Sequence, residues 1–255
     1  MASLPVLSQT LAGVTTITLD WPERRNAFGQ PLITGLLDAL DGAITDEATR
    51  VIVLTNTGTT FSAGADLKED RASLPADAFT FVNITDRIAM SPKPVIGRIA
   101  GHAAGGGAAL AAMCDFAIAS EDVRIGITEV RIGIPPAGVA DLLVHRLSPR
   151  AATEAFLTGE MMSASRAADL GLINRAVPAD QLDAEVGAVV ESLVRSAPKA
   201  IAATKRLLAE MRELSTSQTR RHGQLFSAGL FDSNEAKEGV SAFLEKRDPA
   251  WLPKS

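Results

Sequence analysis

Two glycine-centred segments of this chain have the make-up of a site that acts through backbone N–H groups. FSAGADLK occupies residues 61–68, and AGHAAGGGAALAA occupies residues 100–112. Each follows a hydrophobic run of strand character, 51–55 and 94–100 respectively. A strand, a glycine turn and a helix start together aim unpaired N–H groups at an anion. Two such turns converging on one developing oxyanion would supply what is often the largest single term in acyl-group chemistry. Gly105, Gly106 and Gly107 could equally serve only to let a helix pack closely on a sheet. Neither segment is a phosphate loop: no Gly-x-x-x-x-Gly-Lys-Ser/Thr occurs, and no spaced Gly-x-Gly-x-x-Gly precedes a ribose-binding acid.

Reactive side chains are scarce around these loops. The 255 residues include one cysteine (Cys114), three histidines (His102, His145, His222) and no tyrosine. A lone cysteine excludes a disulfide framework and a cysteine-rich zinc site, and it suits a reducing compartment. The histidines sit in unrelated contexts, which argues against a histidine metal centre. A formal charge of −5 argues against a nucleic-acid partner, although an anion could still be held locally. At 46% hydrophobic residues, disorder is excluded and a sizeable core can form. The N-terminus lacks a basic stretch followed by an apolar core, so no secretory signal is read. The longest apolar stretch, 103–113, is too short and too glycine-rich to span a bilayer. The expectation is a cytoplasmic protein without a membrane partner.

The elements that must position the loops alternate between strand and helix. Val14–Leu19 alternates with period two, and Gly13 before it suggests a hairpin. Pro31 opens a helix whose Leu32, Leu36, Leu37, Leu40 and Ile44 form one apolar stripe. Residues 115–119 and 123–127 read as further short strands. From residue 163 the pattern is helical, with one more strand at 172–177, and 198–247 is all-helical and rich in Lys and Arg. An α/β core over residues 1–196 followed by a helical module over 197–255 is expected.

In order along the chain come FSAGADLK, KPVIGRIAGHAAGGGAALAAMCD, TEVRIGIPPAG, LTGEMMSASRAADLGLINRAVP and GVSAFLEKR. This series resembles the crotonase superfamily of acyl-CoA enzymes, the enoyl-CoA hydratase/isomerase family, from Trp21-Pro22 to Arg247. The resemblance implies an α/β fold of ββα superhelical repeats, assembled as a homotrimer or hexamer. It implies that the N–H groups of Ala65 and Gly106 form the oxyanion hole for a thioester carbonyl. Ala63, Asp66 and Leu67 would line the adenine pocket of coenzyme A, and Arg24 and Arg25 would lie along its pantetheine and phosphate portion. Phe243 and Lys246 would reach coenzyme A from the C-terminal module, often that of a neighbouring subunit. Coenzyme A arrives attached to the substrate, so no separate cofactor and no metal are implied. Plainer roles stand beside these: a solvated basic pair for Arg24 and Arg25, an N-cap for Asp66 ahead of a helix beginning at Leu67, and an amphipathic terminal helix for Phe243 and Lys246.

Family members that hydrate a double bond typically carry two glutamates, one just after the triple glycine and one about twenty residues on. Here Ala109 replaces the first, and the second is present as Glu129. Hydration needs a base to activate water and an acid to protonate Cα, and one carboxylate can do both in sequence. A Δ3→Δ2 double-bond shift needs only one base, and a single glutamate at this position is typical of such isomerases. Dienoyl-CoA isomerases and aryl-CoA dehalogenases use an Asp eight residues later, where this chain has Ala137. Asp141 could replace the missing acid or sit in a helix first turn. His102 could border the acyl pocket or be a hydrogen-bonded structural residue. His145 reads as structural on an apolar helix, Cys114 as a small core residue, and Glu129's plainer role is a loop acid paired with Arg131 or Arg124. The expected activity is 2-enoyl-CoA hydration with Glu129 as acid/base. Δ3,Δ2-isomerisation by the same residue and non-catalytic acyl-CoA binding are the alternatives.

Overall fold

The hairpin expected at Gly13 joins β1 (Val6–Leu11) to β2 (Val14–Leu19), antiparallel, with Val6 opposite Leu19. The computed structural model describes residues 5–70, 80–212 and 216–252. After α1 (Gln30–Thr45), three strand pairs follow in which the chain turns a corner between two sheets. They are β3 (Val51–Asn56) with β4 (Thr60–Ser62), β5 (Val95–Ile99) with β6 (His102–Ala104), and β7 (Phe116–Ser120) with β8 (Arg124–Gly126). The first strand of each pair joins a six-stranded sheet of order β1-β2-β3-β5-β7-β10, where β10 is Arg175–Val177. The second joins a small sheet of order β4-β6-β8-β9, closed by β9 (Met162–Ser163). β2, β3, β5, β7 and β10 run parallel to their neighbours, as do β4, β6 and β8.

All six residues of β3 are buried, as a parallel strand covered on both faces requires. One face packs on α1, α2 (Phe81–Met90) and α3 (Gly106–Met113); the other packs on α7 (Leu182–Arg195) through Leu182, Val186 and Val189. The predicted α1 stripe is found: Leu32, Leu36 and Leu40 are fully buried, each contributing roughly 2 kcal/mol of apolar burial. Every residue of α3 is buried, so this helix has no polar face and lies inside the core. Cys114 follows it, buried, and burial pushes its thiol up to about 12; it is a core residue as expected.

The last part of the chain is helical as read: α8 (Pro198–Arg212), α9 (Thr216–Phe231) and α10 (Asn234–Glu245). The apolar positions of 207–214 and 225–231 suit helices that pack against a neighbour; of these, Leu214 lies outside the described residues. Two cations fasten this end to the core. Lys205 Nζ donates to Asp115 Oδ2 at 2.6 Å and to the Lys93 carbonyl at 3.0 Å. The Arg50 guanidinium donates to the carbonyls of Trp251 (2.8 Å) and Ser196 (2.9 Å). No described helix is long and apolar enough to cross a membrane.

Several local expectations are corrected. No helix begins at Leu67; Leu67 and Lys68 form a turn, because the Asp66 side chain accepts the Lys68 N–H at 2.9 Å and closes the chain tightly there. α4 (Ala137–Leu143) ends before His145, which is exposed in the turn that follows. Asp141 is the fifth residue of α4 rather than a first-turn acid, and it is exposed. Residues 162–163, read as the edge of a helical region, add an antiparallel strand to β8, with Ser163 then capping α6 (Ala164–Asp169).

Candidate active site

β4, β6 and β8 are parallel and adjacent, so the segments leaving their C-terminal ends meet. These segments are 63–66, 105–107 and 127–129. A Cβ on Gly64 would stand 2.9 Å from the Ala104 carbonyl oxygen and 3.0 Å from the Gly106 nitrogen. A Cβ on Gly107 would overlap the Ser62 carbonyl oxygen at 2.1 Å, so any side chain there would drive α3 off β4. The packing role considered for the triple glycine is therefore real at Gly107, and the loops it brings together carry more than packing. Neither the Ala65 N–H nor the Gly106 N–H donates to any acceptor among the described residues. Gly106 is the first residue of α3, so its N–H lacks an intrahelical partner by construction.

The first loop is held by residues that sequence reading passed over. Phe28 forms a bridge with Ala65, its N–H donating to the Gly64 carbonyl at 2.7 Å, and its ring packs against Gly106. Asn26 is fully buried in a left-handed conformation (φ 49°), which asparagine tolerates better than most residues. Its Nδ2 donates to the Thr60 carbonyl at 2.7 Å, and its own carbonyl accepts from Ser62 Oγ at 2.7 Å. The signal for both residues was the short PERRNAF segment, but their partners lie some 35 residues downstream, beyond the reach of any local pattern.

Glu129 is the first residue of a single 3-10 turn, Glu129–Ile132, directly after β8. Its carboxylate lies against Gly105, where a Cβ would stand 3.0 Å from Oε1. Gly105 supplies this room with a positive φ of 54°. Glu129 Oε2 is buried and has no hydrogen-bond partner among the described residues. Neither expected alternative partner is there. Arg131 instead donates to the Thr158 carbonyl at 2.8 Å and pairs with Glu160 at 3.5 Å, while Arg124 forms no ion pair among the described residues. Burial raises the Glu129 pKa above the usual glutamate value, only partly offset by the nearby N–H groups of Glu129 and Thr128. Ala109 is fully buried within α3 and Asp141 is exposed on α4, so among the described residues these loops hold Asp66, paired with Arg24, and one carboxylate without an ion-pair partner, Glu129.

The remaining predicted residues divide. Arg24 and Asp66, expected separately along coenzyme A, are ion-paired with each other, with the Arg24 guanidinium over the Trp21 ring at 5.4 Å. Burial would raise the Asp66 pKa, but the Arg24 guanidinium and the Lys68 N–H outweigh it and leave the carboxyl below its usual range. Arg25 is exposed, its guanidinium unpaired among the described residues, and it lines a groove of ≈ 410 Å³ with Ala63, Ala104, His102, Arg124 and Thr128. His102 lies on the outer face of the small sheet, its Nδ1 accepting the Arg124 N–H at 2.9 Å. Leu67 is exposed, and so is Phe243, while Lys246 ends α10 in a left-handed conformation (φ 55°). The structure brings Ala65, Gly106 and Glu129 together, with Ala63 and Arg25 beside them; it leaves Phe243 and Lys246 on the separate α10.

The family model for enoyl-CoA hydratase/isomerase matches residues 9–254. The chain is 33% identical over 242 residues to a 2,3-dehydroadipyl-CoA hydratase of Escherichia coli, covering 92% of this chain and 94% of that protein. It is 31% identical over 264 residues to an enoyl-CoA isomerase/hydratase of Mycosarcoma maydis, covering 98% and 96%. A crystal structure of enoyl-CoA hydratase from Mycobacterium smegmatis superposes with a TM-score of 0.89 at 34% identity, covering 97% of this chain and 98% of that one. With its paired sheets, glycine loops and terminal helices, this chain belongs to the enoyl-CoA hydratase/isomerase family of the crotonase superfamily.

Proposed function

We propose that the protein hydrates a 2-enoyl-CoA thioester, using Glu129 as the single acid/base. The observation that carries this reading is the half-buried Glu129 carboxylate, whose Oε2 has no hydrogen-bond partner among the described residues, in the same loop cluster as the unpaired N–H groups of Ala65 and Gly106. The thioester oxygen accepts from the Ala65 and Gly106 N–H groups, which stabilise the negative charge that develops there as water adds to Cβ. Glu129 takes the proton from that water and then returns it to Cα, so one carboxylate serves as base and then acid. Its raised pKa suits both halves, because the protonated form is a usable acid nearer neutral pH. No step requires a metal or redox group, since coenzyme A enters as part of the substrate.

The one-carboxylate site also supports a second reading, Δ3→Δ2 isomerisation, in which Glu129 moves a proton from C2 to C4. Incubating the purified protein with crotonyl-CoA and, separately, a 3-enoyl-CoA separates the two. Hydration of crotonyl-CoA is expected; conversion of the 3-enoyl-CoA alone would replace hydration with isomerisation, and turnover of neither would leave acyl-CoA binding. A homotrimeric or hexameric assembly is also proposed, supported by the exposed apolar side chains Leu225, Phe231, Phe243 and Leu244 on α9 and α10. Sedimentation of the full chain tests it, and a monomer would refute it.

A further inference from the structure

The 3-10 turn that carries Glu129 is thinly anchored on its outer side. Residues 131–135 are all exposed, and the turn has no side-chain cap. It closes through its own backbone: the Arg131 N–H donates to the Thr128 carbonyl at 3.0 Å and the Ile134 N–H to the Glu129 carbonyl at 3.1 Å. Bonds internal to one turn survive when the whole turn pivots, so they do not fix its angle against Gly105. β8, which delivers the turn, is three residues long and pairs with β6 and β9 over two residues each.

The turn leans instead on the C-terminal end of α5 (Pro149–Thr158). Gly159 follows that helix in a left-handed conformation (φ 61°), and a Cβ there would stand 2.8 Å from Val130 Cγ2 and 2.9 Å from Arg131 Cγ. A Cβ on Gly126, the last residue of β8, would stand 2.5 Å from the Glu160 carbonyl oxygen. Residues 159–160 thus lie against both the strand end and the turn. Across this contact Arg131 Nε donates to the Thr158 carbonyl at 2.8 Å, one of the carbonyls a helix end leaves without an intrahelical donor. A cation is favoured at that end by the helix dipole as well. Between residues 127 and 136, the Glu129 carboxylate aside, no other side chain makes a hydrogen bond or an ion pair among the described residues. The Arg131–Glu160 pair adds little, because both side chains are largely exposed and 3.5 Å apart.

We propose that Arg131 is a positioning residue for the proton transfers, its bond to the end of α5 holding the Glu129 turn at the angle that sets the carboxylate against Gly105. This rests on the reading of Glu129 as the acid/base. A 3-10 turn spaces side chains by about 120°, so the guanidinium reaches outward to α5 while the carboxylate faces the glycine loops. Arg131 itself touches no reacting atom. Without its bond the turn is free to tilt, and a small displacement of a catalytic group lowers the rate steeply.

Steady-state kinetics of the full chain, on whichever of crotonyl-CoA and a 3-enoyl-CoA the parent converts, tests the role in Arg131→Met, Arg131→Lys and Arg131→Met combined with Glu129→Gln. The Arg131 side chain is exposed, and a thermal melt of each variant checks the fold. Arg131→Met is expected to lower kcat about tenfold and leave KM within about twofold of the parent. Arg131→Lys keeps a cationic donor for the Thr158 carbonyl and should recover most of that loss. Burial, rather than a neighbouring charge, raises the Glu129 pKa, so a tilted and better hydrated carboxylate titrates lower. The acidic limb of the kcat–pH profile should therefore move to lower pH in Arg131→Met. Beside Glu129→Gln, Arg131→Met should change the residual rate less than about twofold, since nothing is left to position. An unchanged kcat in Arg131→Met would overturn the role, and so would a loss confined to KM, no recovery with lysine, or an equal loss persisting beside Glu129→Gln. A parent that converts neither substrate, or a Glu129→Gln variant at the parent rate, would overturn the acid/base reading and the Arg131 role with it. That outcome is distinct from an active, Glu129-dependent parent whose Arg131 variants are unaffected.

Discussion

Asp66 and Glu129 are two carboxylates in the loops that follow β4 and β8, strands of one small sheet with β6 between them, and their surroundings push them in opposite directions. Asp66 is 5% exposed, yet its Arg24 partner and the Lys68 N–H hold it ionised. Glu129 is only half-buried, yet Oε2 faces no donor, and desolvation raises its pKa. Depth of burial does not separate the two; the presence of a partner does. A carboxylate whose charge is already satisfied fastens a loop, and one left unsatisfied beside unpaired N–H groups is available to exchange protons.

The contrast can be broken most forcefully at Gly105. Gly105→Ala would place a methyl 3.0 Å from Glu129 Oε1 on a backbone of φ +54°. Displacing the carboxylate is expected to lower kcat/KM by about a hundredfold, measured on crotonyl-CoA with far-UV circular dichroism as the fold control; an unchanged rate would mean the contact does not position Glu129. Asp66→Ala strips Arg24 of its partner and should cost about 2 kcal/mol of stability in urea denaturation; no loss would make the pair ornamental. Glu129→Gln should do the reverse and leave stability unchanged or higher by no more than about 1 kcal/mol, since it removes an unpaired charge.

The smallest effect is the opposite sign of pH dependence at the two positions. Asp66 titrates lower in the folded chain than its ordinary 3.8, so its stabilisation is present above that pH and lost as pH falls through the folded value. Glu129 titrates higher than its ordinary 4.5, so the folded chain binds its proton more tightly and loses stability as pH rises from 4.5 through the folded value. Stability–pH curves for Asp66→Asn and Glu129→Gln should therefore diverge from the parent on opposite sides of this range. Curves that shift together would erase the distinction.

Much of the architecture was legible locally. The β2 alternation, the α1 leucine stripe and the apolar runs at 51–55 and 94–100 each became the expected element, because their periodicity reports burial directly. The small sheet was less visible. β4 and β6 are three residues each, and β9 has two, too short for a period to declare itself. Glu129 was found through its motif, but its lack of a partner is a property of space rather than of sequence. The same holds for Arg24 and Asp66, assigned separately to coenzyme A and in fact joined across 42 residues. The groove of Arg25, His102 and Arg124 depends on strand register, which no single segment encodes.

The central claim is that one unpaired carboxylate carries the proton transfers. Its most direct test is the rate of crotonyl-CoA hydration by Glu129→Gln against the parent, at saturating substrate and matched folded concentration. The amide keeps the shape and loses the proton exchange, so kcat should fall about a thousandfold. A variant that hydrates within a few-fold of the parent would show that the chemistry resides elsewhere.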